Sequence, residues 1–326
     1  MRRREFISMI GGAMASLPVA ARAQQVMPVI GLLGGAPNDA EGQSRIKIYR
    51  DALQNLGWVD GRNIRLDVRL MGSDLVRIRA SAAELVQSGP AMILAVGTPA
   101  LVALRESTRT IPIVFGNVSD PVDGGFVDSE ARPGGNITGF TSFEYSVAGK
   151  WLELLKEISP QLARVLVLLN PSNYTSRGLL RSIQAAGPSA GVQIVAGRVT
   201  VAGEIAPAIT EFARQPNAGL IIAPDALTAA HMSQIAALSN QFHLAGIFAF
   251  RFFPEMGGLL SYGTEMIDIF RGAAAYTDRI LKGEKPGDLP IQNPIKYRLV
   301  INLRTAKALS LNPPPMMLGR ADEVIE

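Results

Sequence analysis

Residues 91–104 read AMILAVGTPALVAL, and this stretch shows most directly how the chain folds. Five apolar residues at 92–96 are followed by Gly97, Thr98 and Pro99, which open a helical pattern. A short run that is apolar throughout is typical of a strand buried on both faces of a parallel sheet. Thr98 is predicted to be the N-cap of the following helix, with Pro99 at its first position. The stretch therefore predicts one strand–helix unit.

The same unit recurs along the chain. Further β-branched apolar runs lie at 29–33, 64–70, 111–115, 164–169, 193–199, 220–223, 246–250 and 258–262. Helical patterns lie between them at 43–56, 75–86, 148–158, 177–186, 205–212, 226–241 and 267–281. This alternation predicts an α/β fold in which helices cover parallel sheets.

The strand–helix units fall into two series, at 28–126 and 136–245, separated by a Pro/Gly-rich stretch at 132–136. We predict two Rossmann-like lobes with parallel sheets, joined by crossover strands, the first of which runs from Ile137 to Phe140. The first lobe is predicted to comprise residues 24–139 plus 246–288. The second is predicted to comprise residues 140–245 plus 289–326.

The N-terminus has the pattern of an export signal. Three arginines at 2–4 precede a mostly apolar run at 6–21, which ends in the small-x-small sequence of residues 21–23. A membrane span needs about 20 continuous apolar residues, and this run is shorter and contains helix breakers. Residues 1–23 are thus predicted to be a signal peptide, cleaved after about Ala23, that directs the chain to the periplasm. Residues 3–7 also resemble the twin-arginine pattern, and the general secretion route stays open.

Composition excludes several other classes of protein. The net charge is +4, but residues 1–23 hold four Arg and one Glu, so the mature chain has a net charge near +1. Nucleic acid is therefore not an expected partner, because the folded part lacks a basic stripe. The chain has no Cys, which removes disulfides and thiol chemistry.

Enzyme signatures are missing from the sequence. The two histidines, His231 and His243, have the spacing of neither a helical metal pair nor a zinc finger. Dinucleotide, Walker A and nucleophile-elbow motifs do not occur. Acidic residues at 120, 123 and 128 are more typical of turns and caps than of a catalytic group. We predict a protein without catalytic residues, cofactor or metal.

Polar and aromatic residues follow the predicted strands at their carboxyl ends, where ligands bind in open α/β sheets. Taken singly, each is more often a turn residue than a ligand contact, but together they predict an interlobe cleft for a small polar or carboxylate ligand. A helix N-terminus at Thr98 suits a carboxylate, and Asp120 or Asp225 suits an ammonium group. The candidate ligand-binding residues are Gly35, Thr98, Asn117, Ser119, Asp120, Thr141, Ser142, Asn170, Asn173, Tyr174, Asp225, Phe250, Arg251 and Tyr262.

Several segments resemble one family of bacterial ABC-transporter substrate-binding proteins. They are RRREFI at 2–7, ARAQQ at 21–25, MPVIG at 27–31, GTPA at 97–100, RPGGNITG at 132–139, GGLLSYG at 257–263, YRLVINLRTAKAL at 297–309 and RADEVI at 320–325. The chain is similar to the tryptophan-binding-like group, which is associated with aromatic amino acid uptake and has the type I periplasmic fold. The resemblance implies two lobes, three crossovers, closure on the ligand and delivery to an inner-membrane permease. Many relatives are Ser-rich after the first strand, whereas this chain has GGAP at 34–37, so the ligand need not be an amino acid.

The leading interpretation is a monomeric solute-binding component of an ABC importer, whose partners are a small-molecule ligand and a membrane permease. An exported sensor that signals to a membrane partner stays open as the alternative. A periplasmic enzyme is disfavoured because its catalytic groups are missing. A DNA-binding regulator with similar lobes would need an N-terminal helix-turn-helix, where this chain has its leader.

Overall fold

The computed structural model describes residues 27–35, 38, 40–72 and 74–326, so the predicted export signal at 1–23 lies outside the described residues. The strands are β1 (Val29–Gly34), β2 (Arg65–Leu70), β3 (Met92–Val96), β4 (Ile113–Val118), β5 (Ile137–Thr141), β6 (Arg164–Leu169), β7 (Gln193–Arg198), β8 (Ala218–Ile222), β9 (Ala245–Phe248), β10 (Leu260–Gly263), β11 (Arg298–Asn302) and β12 (Glu323–Ile325). The helices are α1 (Ala40–Asn55), α2 (Leu75–Gln87), α3 (Thr98–Ser107), α4 (Val147–Ile158), α5 (Tyr174–Ala190), α6 (Ile205–Phe212), α7 (Ala226–Ala230), α8 (Met232–Gln241), α9 (Phe252–Glu255), α10 (Met266–Leu281), α11 (Leu303–Ala308) and α12 (Pro315–Gly319). Short 3₁₀ turns lie at Ala202–Glu204 and Pro286–Asp288.

The first lobe is built on a parallel sheet in the order β2-β1-β3-β4-β5. Alternate residues of its strands enter two separate cores. Leu33 packs with α2 and α3 on one face, and Leu32 packs with α1 and α10 on the other. Helices on both faces explain why β3 is buried along its whole length and why its sequence is apolar throughout.

The second lobe has a sheet in the order β12-β11-β10-β9-β8-β6-β7. All neighbouring strands are parallel except β10 and β11, which are antiparallel. One continuous core joins this sheet to its helices, and Trp151 of α4 is fully buried in it. The structure thus confirms two α/β lobes with parallel-dominated sheets.

The prediction that residues 246–288 return to the first lobe is wrong for β9 and β10. Gly246 pairs with Leu220, and Leu260 pairs with Ile247, so both strands extend the second sheet. The chain returns to the first lobe only with α10, whose Phe270 lies in the core around Leu32. The physical reason is that β9 follows β8 and α8 as one more parallel strand–helix unit, which adds to the sheet already being built.

The chain passes between the lobes three times, at 142–146, 264–265 and 290–297. The predicted crossover strand 137–140 is β5 and pairs with β4 in the first sheet. The three passages are joined by hydrogen bonds. Thr264 Oγ1 donates to Ser142 O at 2.9 Å, and the backbone N–H of Thr141, the last residue of β5 before the first passage, donates to Gln292 O at 3.0 Å. We call these three passages the hinge.

Two predicted helix features also differ from the structure. The pattern at 226–241 forms two helices, α7 and α8, interrupted at His231. Gly97, rather than Thr98, is the N-cap of α3, and its φ of 86° lies in the region that glycine adopts without steric cost. Thr98 is therefore the first helical residue, and its hydroxyl caps no backbone N–H. Within the described part of the chain, no helix has the length and apolar character needed to cross a membrane.

Candidate ligand-binding cleft

The two lobes enclose a cleft at the carboxyl ends of their strands, and three cavities lie along it. The inner cavity, of about 120 Å³, lies between Asn117 of the first lobe and Asp225 of the second. The outer cavity, of about 470 Å³, lies between α3 and α5, and the rear cavity, of about 230 Å³, lies between α1 and the segment 249–252. The inner cavity shares Thr98 with the outer one and Arg45 with the rear one, so the three are neighbours in one cleft.

Most of the predicted ligand-binding residues meet around the inner cavity. The strand-end prediction placed them there because parallel strands bring their carboxyl ends to one edge of each sheet. The predicted residues that line it are Gly35, Thr98, Asn117, Ser119, Ser142, Asn173, Asp225 and Phe250. Other residues that line this cavity were not predicted from the sequence, among them Arg45, Phe143, Thr175, Phe252 and Met256.

Asp225 is the most extensively hydrogen-bonded of these side chains. Its carboxylate accepts from Asn170 Nδ2 at 3.2 Å, from Asn173 Nδ2 at 2.9 Å and from the backbone N–H of Leu227 at 2.9 Å. The last bond makes Asp225 the N-cap of α7. A carboxylate has about four acceptor positions, so this one is held in place and can still accept from a ligand.

Arg45 of α1 supplies a positive charge to the same cavity. Its guanidinium carbon lies 5.6 Å from the ring centroid of Phe252, a cation–π distance. Among the described residues that line the inner cavity, Arg45 and Asp225 are the charged ones. They come from opposite lobes, so the cavity has one charge of each sign, one on either side of the cleft.

Two pairs of hydroxyl groups also line the inner cavity. Ser119 Oγ is 3.1 Å from Ser142 Oγ, and Thr98 Oγ1 is 3.3 Å from Thr175 Oγ1. The threonine pair joins the first lobe to the second. Because only one hydroxyl of the serine pair donates to its neighbour, the other O–H of that pair remains available to a ligand.

Asn117 lines the inner cavity from a strained backbone position. Its φ is 58°, and the register between β4 and β5 shifts beside it, between Gly116 and Val118. Its side-chain amide makes no hydrogen bond to any residue that the structure describes. Backbone strain of this kind is concentrated at functional sites, and here it directs an unpaired amide towards the cavity.

The wall formed by the second lobe is aromatic and apolar. The rings of Phe250 and Phe252 are stacked with centroids 6.0 Å apart, and both pack edge-on against Phe248. Met256, which is 45% exposed, also lines this wall with a flexible apolar side chain. The inner cavity thus combines a polar side with an apolar side.

The remaining predicted residues lie elsewhere. Asn170 and Tyr174 line the outer cavity, and Arg251 lines the rear one, where it forms ion pairs with Glu255 and Glu323 at 3.0 and 3.1 Å. Asp120, Thr141 and Tyr262 line none of these cavities, and each contacts another residue of the protein. Asp120 Oδ1 accepts from Asp123 N, Thr141 Oγ1 donates to Asn293 Oδ1, and the Tyr262 ring stacks on Tyr297.

Tyrosine hydroxyls beside the cleft remain protonated to high pH. Burial, with a smaller contribution from the negative charges of Asp120 and Asp123, raises the pKa of Tyr145 to about 12. Burial likewise raises the pKa of Tyr174 well above its usual value. A protonated Tyr174 can donate a hydrogen bond, and it does so to Ser119 O at 2.6 Å across the cleft.

Comparison with known proteins agrees with this fold. A family model described as ABC transporter substrate binding protein matches residues 40–325, and the chain therefore belongs to that family. Its members bind solutes and are not enzymes. A tyrosine-binding protein of Clostridioides difficile (strain R20291) is 26% identical over 265 residues, which are 81% of this chain and 76% of that protein.

Solved structures also resemble the chain. A Streptococcus pneumonia ABC domain in complex with L-Trp superposes with a TM-score of 0.85 at 23% identity, over 91% of this chain and 99% of that one. A ligand-free, open substrate binding protein from Clostridium difficile superposes with a TM-score of 0.67 at 24% identity, over the same shares of the two chains. Both support the fold of two α/β lobes.

Proposed function

We propose that the chain is the exported solute-binding component of an ABC importer and that its ligand is a small zwitterion, such as an amino acid. Residues 1–23 would direct it to the periplasm, and a membrane permease would receive the ligand. The observation that carries the proposed ligand class is the pair of opposite charges, Arg45 and Asp225, in one inner cavity. A ligand with a carboxylate and an ammonium group can engage both.

The charge arrangement also links binding to closure. Because Arg45 belongs to the first lobe and Asp225 to the second, a zwitterion between them interacts with both lobes only when the cleft is closed. A ligand shifts a conformational equilibrium by its differential affinity for the two states. Closure around a zwitterion would therefore be favoured over closure around a molecule with a single charge.

The lobes are in contact across the cleft in this structure. Thr98 meets Thr175, and Tyr174 meets Ser119, each pair joining opposite lobes. The higher TM-score with the L-Trp complex, 0.85 against 0.67 for the open ligand-free protein, agrees with a closed arrangement. The aromatic wall at Phe250 and Phe252 suits an apolar or aromatic side chain on the ligand.

The ligand class is tested with sets of molecules that differ by one charge. The chain from residue 24 is screened by thermal shift and by isothermal titration calorimetry against L-tyrosine, tyramine and 3-(4-hydroxyphenyl)propionate. L-tryptophan and L-leucine are included as further zwitterions. A zwitterion at 100 times its dissociation constant should stabilise the fold by about 2.7 kcal/mol. Equal binding of tyramine or of the propionate would refute the proposed charge recognition.

Variants locate the binding site. Asp225→Asn preserves the N-cap, because Asn caps as well as Asp, but removes the negative charge. Arg45→Gln removes the positive charge. Each should weaken binding of the zwitterion by about 2 kcal/mol, which is about 30-fold. The matched controls are Asp74→Asn, at the N-cap of α2, and Arg50→Gln, on the same helix as Arg45. Unchanged affinity in both cavity variants would place the ligand elsewhere.

A further inference from the structure

Tyr174 contacts the opposite lobe through both its hydroxyl and its ring. It is the first residue of α5 in the second lobe, and its Oη donates to Ser119 O of the first lobe at 2.6 Å. Its ring lies against Phe126, also of the first lobe, with centroids 5.7 Å apart. The side chain lines the outer cavity and is not among the residues that line the inner cavity between Arg45 and Asp225.

The first lobe has a recess that matches this side chain. A Cβ on Gly124 would lie 2.9 Å from Tyr174 Cζ and 2.6 Å from Phe126 Cε2, so only glycine leaves room for the ring. Arg105 holds the residues of the recess in place. Its Nη1 donates to Gly125 O at 2.8 Å and to Gly124 O at 3.2 Å, and its guanidinium carbon is 4.6 Å from the Phe126 ring centroid.

The recess is connected to the inner cavity through the residue before Tyr174. Asn173 donates to the Asp225 carboxylate at 2.9 Å and accepts from the backbone N–H of Thr175 at 3.1 Å as the N-cap of α5. The start of α5 is therefore held by the same carboxylate that lines the inner cavity. The position of Tyr174 is thus fixed by contacts within the second lobe, independently of the first lobe.

We propose that Tyr174 is a latch: by docking in the recess formed by Ser119, Gly124 and Phe126, it sets the free energy of the closed state. It is a positioning residue, which acts on affinity through closure and not through contact with the ligand. The predicted effect of the latch on ligand affinity rests on the proposed function. Its effect on closure is a property of the chain without ligand.

The first variants perturb the latch from both lobes. Tyr174→Phe removes the hydrogen bond and leaves the ring, and Gly124→Ala inserts a methyl group into the recess. The control, Tyr262→Phe, removes a hydroxyl that has no partner among the described residues and that lines none of the three cavities. Circular dichroism melting curves establish that each variant folds.

Closure is measured without ligand by electron–electron double resonance between two spin labels. The sequence has no Cys, so cysteines introduced at Val76 of the first lobe and Val201 of the second carry the only labels. Both positions are exposed, at 76% and 58%. A pair at Val201 and Met316, both in the second lobe, controls for changes within a lobe.

Loss of one neutral hydrogen bond should lower the ratio of closed to open molecules by about 3- to 10-fold in Tyr174→Phe. Gly124→Ala should lower it too, and the double variant should lower it by less than the product of the two, because both act on one contact. The dissociation constant of any ligand found above should rise in proportion as the closed fraction falls, which is by the same factor when the open state predominates without ligand. Tyr262→Phe should leave the distance distribution of the Val76 and Val201 labels unchanged.

An unchanged distance distribution in Tyr174→Phe would overturn the latch, and so would a wild-type chain with no closed population before ligand is added. If no zwitterion binds but the distances shift as described, the proposed ligand is wrong and the latch stands. If zwitterions bind and the distances do not shift, the latch is wrong and the proposed function stands.

Discussion

Asn117 allows its backbone and its side chain to be tested separately. Its φ of 58° costs an ordinary residue about 1–2 kcal/mol, a cost that Asn partly avoids and Gly avoids almost entirely. Asn117→Gly relieves this strain, but the higher conformational entropy of the unfolded chain offsets the gain by about 0.5–1 kcal/mol. We expect its stability to lie within about 0.5 kcal/mol of the wild type. Asn117→Ala keeps the strain and should lose about 1 kcal/mol.

Both variants remove the same amide from the inner cavity, so both should lose the same binding energy. A net contribution of about 0.5–1.5 kcal/mol for one hydrogen bond corresponds to a 2- to 12-fold rise in the dissociation constant. Urea denaturation measures stability, and calorimetry with an amino acid from the panel measures affinity. If Gly and Ala were equally stable, the strain at residue 117 would be refuted. If Asn117→Gly bound like the wild type, the amide would not contact the ligand.

Three further predictions concern the fold and the cleft. Gly139→Ala should cost about 3 kcal/mol in urea denaturation, because its Cβ would overlap the backbone oxygen of Phe115. The control Gly149→Ala, in an open helix position, should be neutral or stabilising, and equal effects would refute the close approach at Gly139. Burial raises the pKa of Tyr49, so the unfolded chain loses the phenolic proton at a lower pH than the folded chain. For this group, the free energy of unfolding should be steady below about pH 9 and fall above pH 10, by at most about 1.4 kcal/mol per pH unit. Tyr49→Phe should reduce that slope. Arg251→Gln should cost less than about 1 kcal/mol, because its ion pairs are exposed, and should leave calorimetric affinity unchanged; weaker binding would restore Arg251 as a ligand contact.

The strands could be predicted from sequence because their burial leaves a direct mark on composition. A segment such as 92–96 is apolar throughout because helices cover both of its faces. The division between the lobes could not be predicted as well. Strands β9 and β10 carry no signal for the sheet they join, since pairing in either sheet would bury the same apolar side chains. Their pairing with β8 and β11 is decided by tertiary contacts.

The residues of the candidate site could likewise be predicted from the sequence only in part. Residues at strand ends, such as Ser119 and Asp225, could be found because the topology of a parallel sheet places them in the cleft. Arg45 and Phe252 lie on helices and reach the cavity only through the way the lobes are packed. Tyr174 was predicted from its position at a strand end, and its hydroxyl donates to Ser119 O of the opposite lobe, a contact that the sequence does not indicate.

The path of the chain through the hinge has a consequence for biosynthesis. Residues 29–141 supply the whole first sheet, yet the core around Leu32 is covered by α1 alone until Phe270 of α10 has been made. The second sheet likewise waits for β11 and β12, close to the C-terminus. Neither lobe can complete its core on the ribosome while the chain is still growing through its first 265 residues. A nascent chain of this design therefore remains incompletely folded for most of its synthesis.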